Sequence, residues 1–162
     1  MLVLGLDPDK GYALVRHGII GEDGKYHEKQ TQIIGAGTVK GIVQLKKIIA
    51  DCKVYAADDG FLKGFKGGFL VRIERPTNLK TFPRPGLSHA AQMKIAQNCG
   101  QNYRKATELG EYCEELGLRY EFVAPSRKKW GKIPWKQFNR LTGYTGRTSE
   151  HSRDAIMIAL RK

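Results

Sequence analysis

Residues 2–6 form an unbroken apolar run, Leu-Val-Leu-Gly-Leu, which ends at Asp7 and is blocked from simple continuation by Pro8. Such a run fits a strand buried on both faces. Residues 11–20 and 29–39 predict two further strands. The turn-rich Gly21-Glu-Asp-Gly24 between them makes the opening a three-stranded meander. Ile42, Leu45, Ile49 and Cys52 recur at three- and four-residue steps, predicting a helix over 40–52. The run 69–73 is the next strand, approached by the Gly-rich, basic and aromatic stretch 60–68. Ile95, Cys99, Tyr103, Ala106, Leu109, Cys113 and Leu116 predict the longest helix over 88–116, with Gly117 at its C-cap. Residues 120–124 then read as a short strand closed by Pro125. Ser149 can cap a last helix whose core, 155–160, is apolar nearly all round.

Three strands, then alternating helix and strand, predict an α/β fold with a mixed five-stranded sheet. The strand after the first helix should lie parallel beside the first strand, which would bring Asp7 and Glu74 together. A length of 162 residues fits one domain, residues 1–162, with no linker-separated modules. Cys52, Cys99 and Cys113 are odd in number and match no zinc or redox spacing, so they read as apolar residues of a reducing compartment. The apolar start is too short for a signal sequence, and no stretch approaches the roughly 20 apolar residues that span a bilayer. A cytoplasmic protein without membrane contact is expected.

Charge changes the picture. With 28 Lys and Arg against 16 Asp and Glu, the net charge is +12, which favours a polyanionic partner. Against that background a few acids stand alone. Glu74 is the one acid between Asp59 and Glu108, and it ends an apolar run, as Asp7 does. Asp154 follows His151 by three residues at the start of the last helix, so the two share a helix face near its positive end. Phosphodiester hydrolysis can use two Mg2+ ions roughly 3.5–4 Å apart, held by converging hard oxygen ligands. Asp7, Glu74, His151 and Asp154 are the candidate ligands and catalytic residues.

Each has a plainer alternative. Asp7-Pro8-Asp9 can be a turn initiator, although a calcium loop fails because Gly18 occupies the twelfth position. Glu74 can pair with Arg72 or Arg75. Asp154, like Glu150, can complement the helix dipole, and a lone His is more often structural than a ligand. Asp58 and Asp59, after the apolar 54–57, are rivals to Glu74 as acids at a strand end, but the adjoining glycines favour a turn.

The blocks Leu4-Gly-Leu-Asp-Pro8, Ile73-Glu-Arg-Pro76 and Glu150-His-Ser-Arg-Asp-Ala155, in that order and spacing, resemble the signature blocks of RuvC-type Holliday junction resolvases, especially phage-encoded members. The resemblance implies an RNase H-like fold with helices on both faces of the sheet. It also implies a homodimer and Mg2+- or Mn2+-dependent paired nicking of four-way DNA junctions in recombination and repair, within the host-cell cytoplasm for a phage protein. Asp7, Glu74 and Asp154 match the family's metal ligands, and two ions per site are implied. His151 falls where members carry Asp or His. Asp9-Lys10 departs from the common Gly-Ser after Asp-Pro. Two rivals stay open: an RNase H-like nuclease acting on RNA–DNA hybrid, flap or structured RNA, and a non-catalytic nucleic-acid-binding module.

Residues 125–148 hold no acid but seven cations interleaved with Trp130, Trp135, Phe138 and Tyr144. They read as a loop that tracks phosphates, with Lys128, Lys129, Lys132, Lys136 and Arg147 as contacts and the aromatics as packing residues. In the Gly-rich stretch, Lys63, Phe65 and Lys66 are further DNA-binding candidates. One ring among Phe61, Phe65 and Phe69 is a candidate wedge at the junction centre, with core packing the favoured fate of Phe69.

Overall fold

Every residue of β1 (Leu2–Asp7) is buried, because its alternating side chains feed two cores at once. A computed structural model describes residues 1–20, 26–58, 68–76, 85–125 and 130–161, with backbone alone at 19, 20, 26–30 and 130. In it Leu2, Leu4 and Leu6 pack with Leu45, Ile49, Val71, Ile73, Leu109 and Cys113. Val3 points the other way and packs with Val15, Leu70 and Ala159. That two-sided burial is why the strand carries no alternation.

β1 pairs antiparallel with β2 (Gly11–Ile20), which pairs antiparallel with β3 (Tyr26–Thr38). On its other side β1 pairs parallel with β4 (Phe69–Glu74), and β4 pairs parallel with β5 (Arg119–Val123). The sheet order is β3-β2-β1-β4-β5, consistent with an RNase H-like mixed sheet. The helices α1 (Ile42–Asp58) and α2 (His89–Glu115) cover one face. On the other lie α3 (Trp135–Thr142) and α4 (Glu150–Ala159), through Phe138, Ala155 and Ile156 against Ala13. Helices on both faces are therefore present as expected. Among the described residues no helix is long and apolar enough to cross a membrane.

Two elements differ from the sequence reading. The first helix runs on to Asp58, because Leu45, Ile49, Cys52 and Ala56 continue one stripe at steps of four and three. Val54 and Tyr55 are apolar yet exposed, and Asp58 ends a helix rather than a strand. Asp59 lies outside the described residues. The supposed loop 125–148 contains a 3-10 turn at Trp130–Lys132 and the whole of α3. A helix held by one buried side chain, Phe138, leaves no periodic stripe to read; its signals were Pro134 before it and Gly143, at φ +70°, after it. The 21–24 turn, residues 60–67 with Phe61, Lys63, Phe65 and Lys66, and the pair Lys128 and Lys129 fall outside the described residues.

Burial raises the Cys113 thiol to about 12 and the Cys52 thiol to about 11, as expected of cysteines that act as apolar residues.

Because α4 crosses β1 at very short range, Gly5 has no room for a side chain. A Cβ there would lie 2.3 Å from the Ala155 carbonyl oxygen and 2.7 Å from the Ala159 nitrogen. Gly5→Ala is expected to destabilise by about 1–3 kcal/mol or more through overpacking. Gly35→Ala, where a Cβ meets nothing within 4 Å, should change stability by less than ~0.5 kcal/mol. Denaturant unfolding of the two variants checks the contrast.

Candidate active site

Because β1 and β4 run in the same direction, their carboxyl ends meet at one edge of the sheet. Leu6 pairs with Ile73, so the next residues, Asp7 and Glu74, are neighbours in register. Both belong to the α4 side: Val3 and Leu70 share the core there, and Arg72 reaches the Ala159 carbonyl. The first turn of α4 comes down on the same edge, fixed by a capping box in which Ser149 and Ser152 serve each other's backbone.

Asp7 is 8 % exposed and both of its oxygens are engaged. Oδ1 accepts the Asp9 backbone N–H at 3.1 Å, and Oδ2 lies 2.7 Å from His151 Nδ1. The other ring nitrogen, Nε2, lies 3.8 Å from Asp9 Oδ2, and Asp9 Oδ1 pairs with Lys105 of α2 at 3.2 Å. A chain of polar contacts thus runs Lys105, Asp9, His151, Asp7. It requires Gly11, where a Cβ would stand 2.2 Å from the His151 carbonyl oxygen.

Asp154 sits on the same face of α4, one turn deeper. Its Oδ1 accepts the Gly131 N–H at 2.9 Å. Burial, above all, pushes its carboxyl above the usual aspartate range, and the Asp7 charge adds to this while the Gly131 N–H opposes it. Gly131 is itself clamped. Its carbonyl accepts from Nε and Nη2 of the buried Arg153, at 3.2 and 2.5 Å, while Nη1 of the same side chain holds the Thr148 carbonyl at 2.9 Å. Lys132 pairs with Glu150 at 2.6 Å, a hydrogen bond that holds the exposed Glu150 carboxyl below its usual range.

The fold therefore brings Asp7 and His151 into contact, sets Asp154 close enough for Asp7 to oppose its ionisation, and makes Glu74 the register neighbour of Asp7. Arg72, one of the two arginines proposed above as partners for Glu74, pairs with Glu121. Among the described residues, no three His, Cys, Asp or Glu side chains are placed so as to hold a metal ion together. The donors still suit a hard cation in kind: carboxylate oxygens with one imidazole, and an ionised Asp154 that burial and Asp7 make costly.

The described basic candidates sit on different segments of the chain. Lys132 stands at the first turn of α4, and exposed Arg147 lines a shallow cavity with Thr38, Ser149 and Ser152. Lys136 lies on α3, its Nζ 5.9 Å from the centre of the Trp135 ring. Phe138 is a packing residue as expected, whereas Trp135 is 40 % exposed. The reading of the sequence missed Asp9, Lys105, Gly11, Gly131 and Arg153. Asp9 had a usable signal, two carboxylates either side of a proline at a strand end.

A carboxyl whose folded pKa is raised binds its proton more tightly in the folded chain. That contribution favours folding below the unfolded pKa and is lost as pH rises through the folded one. Asp154→Asn keeps an oxygen for the Gly131 N–H and removes the charge. Its melting temperature near pH 7 is expected to equal or exceed that of the unaltered chain, with the advantage gone at about pH 3. A melting temperature several degrees lower near pH 7 contradicts this electrostatic account. No protein-family model and no curated protein sequence matches the chain.

Proposed function

We propose that this protein is a structure-selective DNA endonuclease that resolves four-way junctions by cation-dependent, paired phosphodiester hydrolysis as a homodimer. One observation carries the reading: in a chain of net charge +12, Asp7 and Asp154 lie buried or half-buried at one sheet edge, close enough for the Asp7 charge to oppose ionisation of Asp154. A protein that merely bound polyanions would gain nothing from opposing phosphate with acids. This argues against the non-catalytic module.

Asp7, Glu74 and Asp154, with His151, would hold the cations. When bound, such ions neutralise charge on the phosphate and acidify a water for attack. The remaining work falls to the chain itself. The Asp9 N–H and His151 fix the Asp7 carboxylate in one orientation, and the Gly131 N–H fixes that of Asp154. Arg153, through Gly131 and Thr148, keeps the first turn of α4 and the 3-10 turn in mutual register. The three RuvC-like blocks favour a four-way junction over other branched or hybrid substrates. Two copies would present two sites to two opposed strands.

Incubating the protein with a labelled synthetic four-way junction and Mg2+ is expected to give paired nicks that a chelator abolishes. Asp154→Asn should lower the rate at least ~100-fold. Preferential cutting of an RNA–DNA hybrid would move the assignment to the first rival. Undiminished cutting by Asp154→Asn would remove Asp154 from the site.

A further inference from the structure

Arg75, the residue after Glu74, has a side chain held by two aromatic rings, with no side-chain hydrogen bond among the described residues. Its backbone N–H continues the pairing of β4 with β5, donating to the Val123 carbonyl at 2.9 Å. Its guanidinium lies 4.0 Å from the centre of the Phe122 ring and 5.0 Å from that of Tyr103. Two aromatic contacts can fix a planar cation through its faces while leaving its edge donors available. Nε is buried and has no hydrogen-bond partner among the described residues.

The neighbouring arginines behave differently. Arg72 donates to Glu121 and to the Ala159 and Arg161 carbonyls. Arg153 satisfies Gly131 and Thr148. Arg75 has no carboxylate within pairing range among the described residues, and from 75 to 107 the sequence contains no acid at all. Lys105, two residues beyond Tyr103 on α2, is anchored at the same sheet edge by Asp9. The side chain as a whole is only half-buried, and the outer nitrogens of a guanidinium fork match two phosphate oxygens.

We propose that Arg75 grips a phosphodiester of the substrate strand beside the bond that Asp7, Glu74 and Asp154 act on, with Lys105 as its neighbour along the same edge. The inference rests on the nuclease reading and adds to it the strand's course along the α2 side of the sheet edge. Arg75 is a binding residue there, distinct from the acids on the α4 side.

The test is fluorescence anisotropy with a labelled synthetic four-way DNA junction in chelator, across a salt series, so that no cutting is required. Arg75→Gln is expected to bind at least ~10-fold more weakly, with the slope of log K against log salt shallower by about 0.9, the signature of one lost phosphate contact. Arg75→Lys should restore the slope but not the full affinity, since it lacks the fork. An unchanged slope in folded Arg75→Gln overturns the inference, because a merely structural role moves stability and not counterion release. Should Arg75→Gln fail to fold, Arg75→Lys decides: weaker binding at unchanged slope supports the contact, and full affinity overturns it. A protein that binds the junction, loses slope in Arg75→Gln and yet never cuts with Mg2+ would defeat the nuclease reading while upholding the phosphate contact. One that cuts normally with the slope unmoved would defeat only the contact.

Discussion

The close docking of α4 on β1 and β2 is the constraint on which the site depends. Two positions without a Cβ permit it: Gly5 under Ala155 and Ala159, and Gly11 under the His151 carbonyl. The carboxyl end of the helix is pinned by His17 Nε2 and Arg72 Nη1, which donate to the Ala159 carbonyl at 3.0 and 3.2 Å, as suits the negative end of a helix dipole. Its amino end is held by the capping box and by Arg153. With both ends fixed, His151 and Asp154 have one register against Asp7. A shift of one residue along the helix axis is about 1.5 Å, enough to break a 2.7 Å contact between His151 and Asp7.

That rigidity is applied to an arrangement with an electrostatic cost. Asp154 ionises against burial and against Asp7, while His151 and Lys105 partly compensate the neighbouring carboxylates. A fold optimised only for stability would place an apolar residue at such a position. Charge kept beside so close a helix–strand contact is what the proposed cation site requires. Arg75 is the complementary case, a cation next to Glu74 in sequence with no anion paired to it among the described residues.

Much of the fold was legible because burial patterns are local. The run 2–6 announced a central strand, the seven apolar positions from Ile95 to Leu116 announced α2, and Ser149 announced the start of α4. α3 was not legible, since Phe138 alone anchors it, and the end of α1 was obscured by Val54 and Tyr55, apolar residues that face outward. At the site, Asp7, Glu74 and Asp154 stood out as isolated acids in a basic chain. Asp9 and Lys105 did not, because their partnership spans 96 positions and leaves no local trace. Gly11 and Gly131 carry no local signal; their role appears only when another element is packed against them.

Calorimetric titration with Mn2+ tests the convergence of Asp7 and Asp154 most directly, since it reads one shared site without requiring any substrate. The expected result is saturable binding to the unaltered chain that weakens at least ~10-fold in Asp7→Asn and likewise in Asp154→Asn, although the two residues lie on different elements. Binding as tight as that of the unaltered chain in either variant would contradict it.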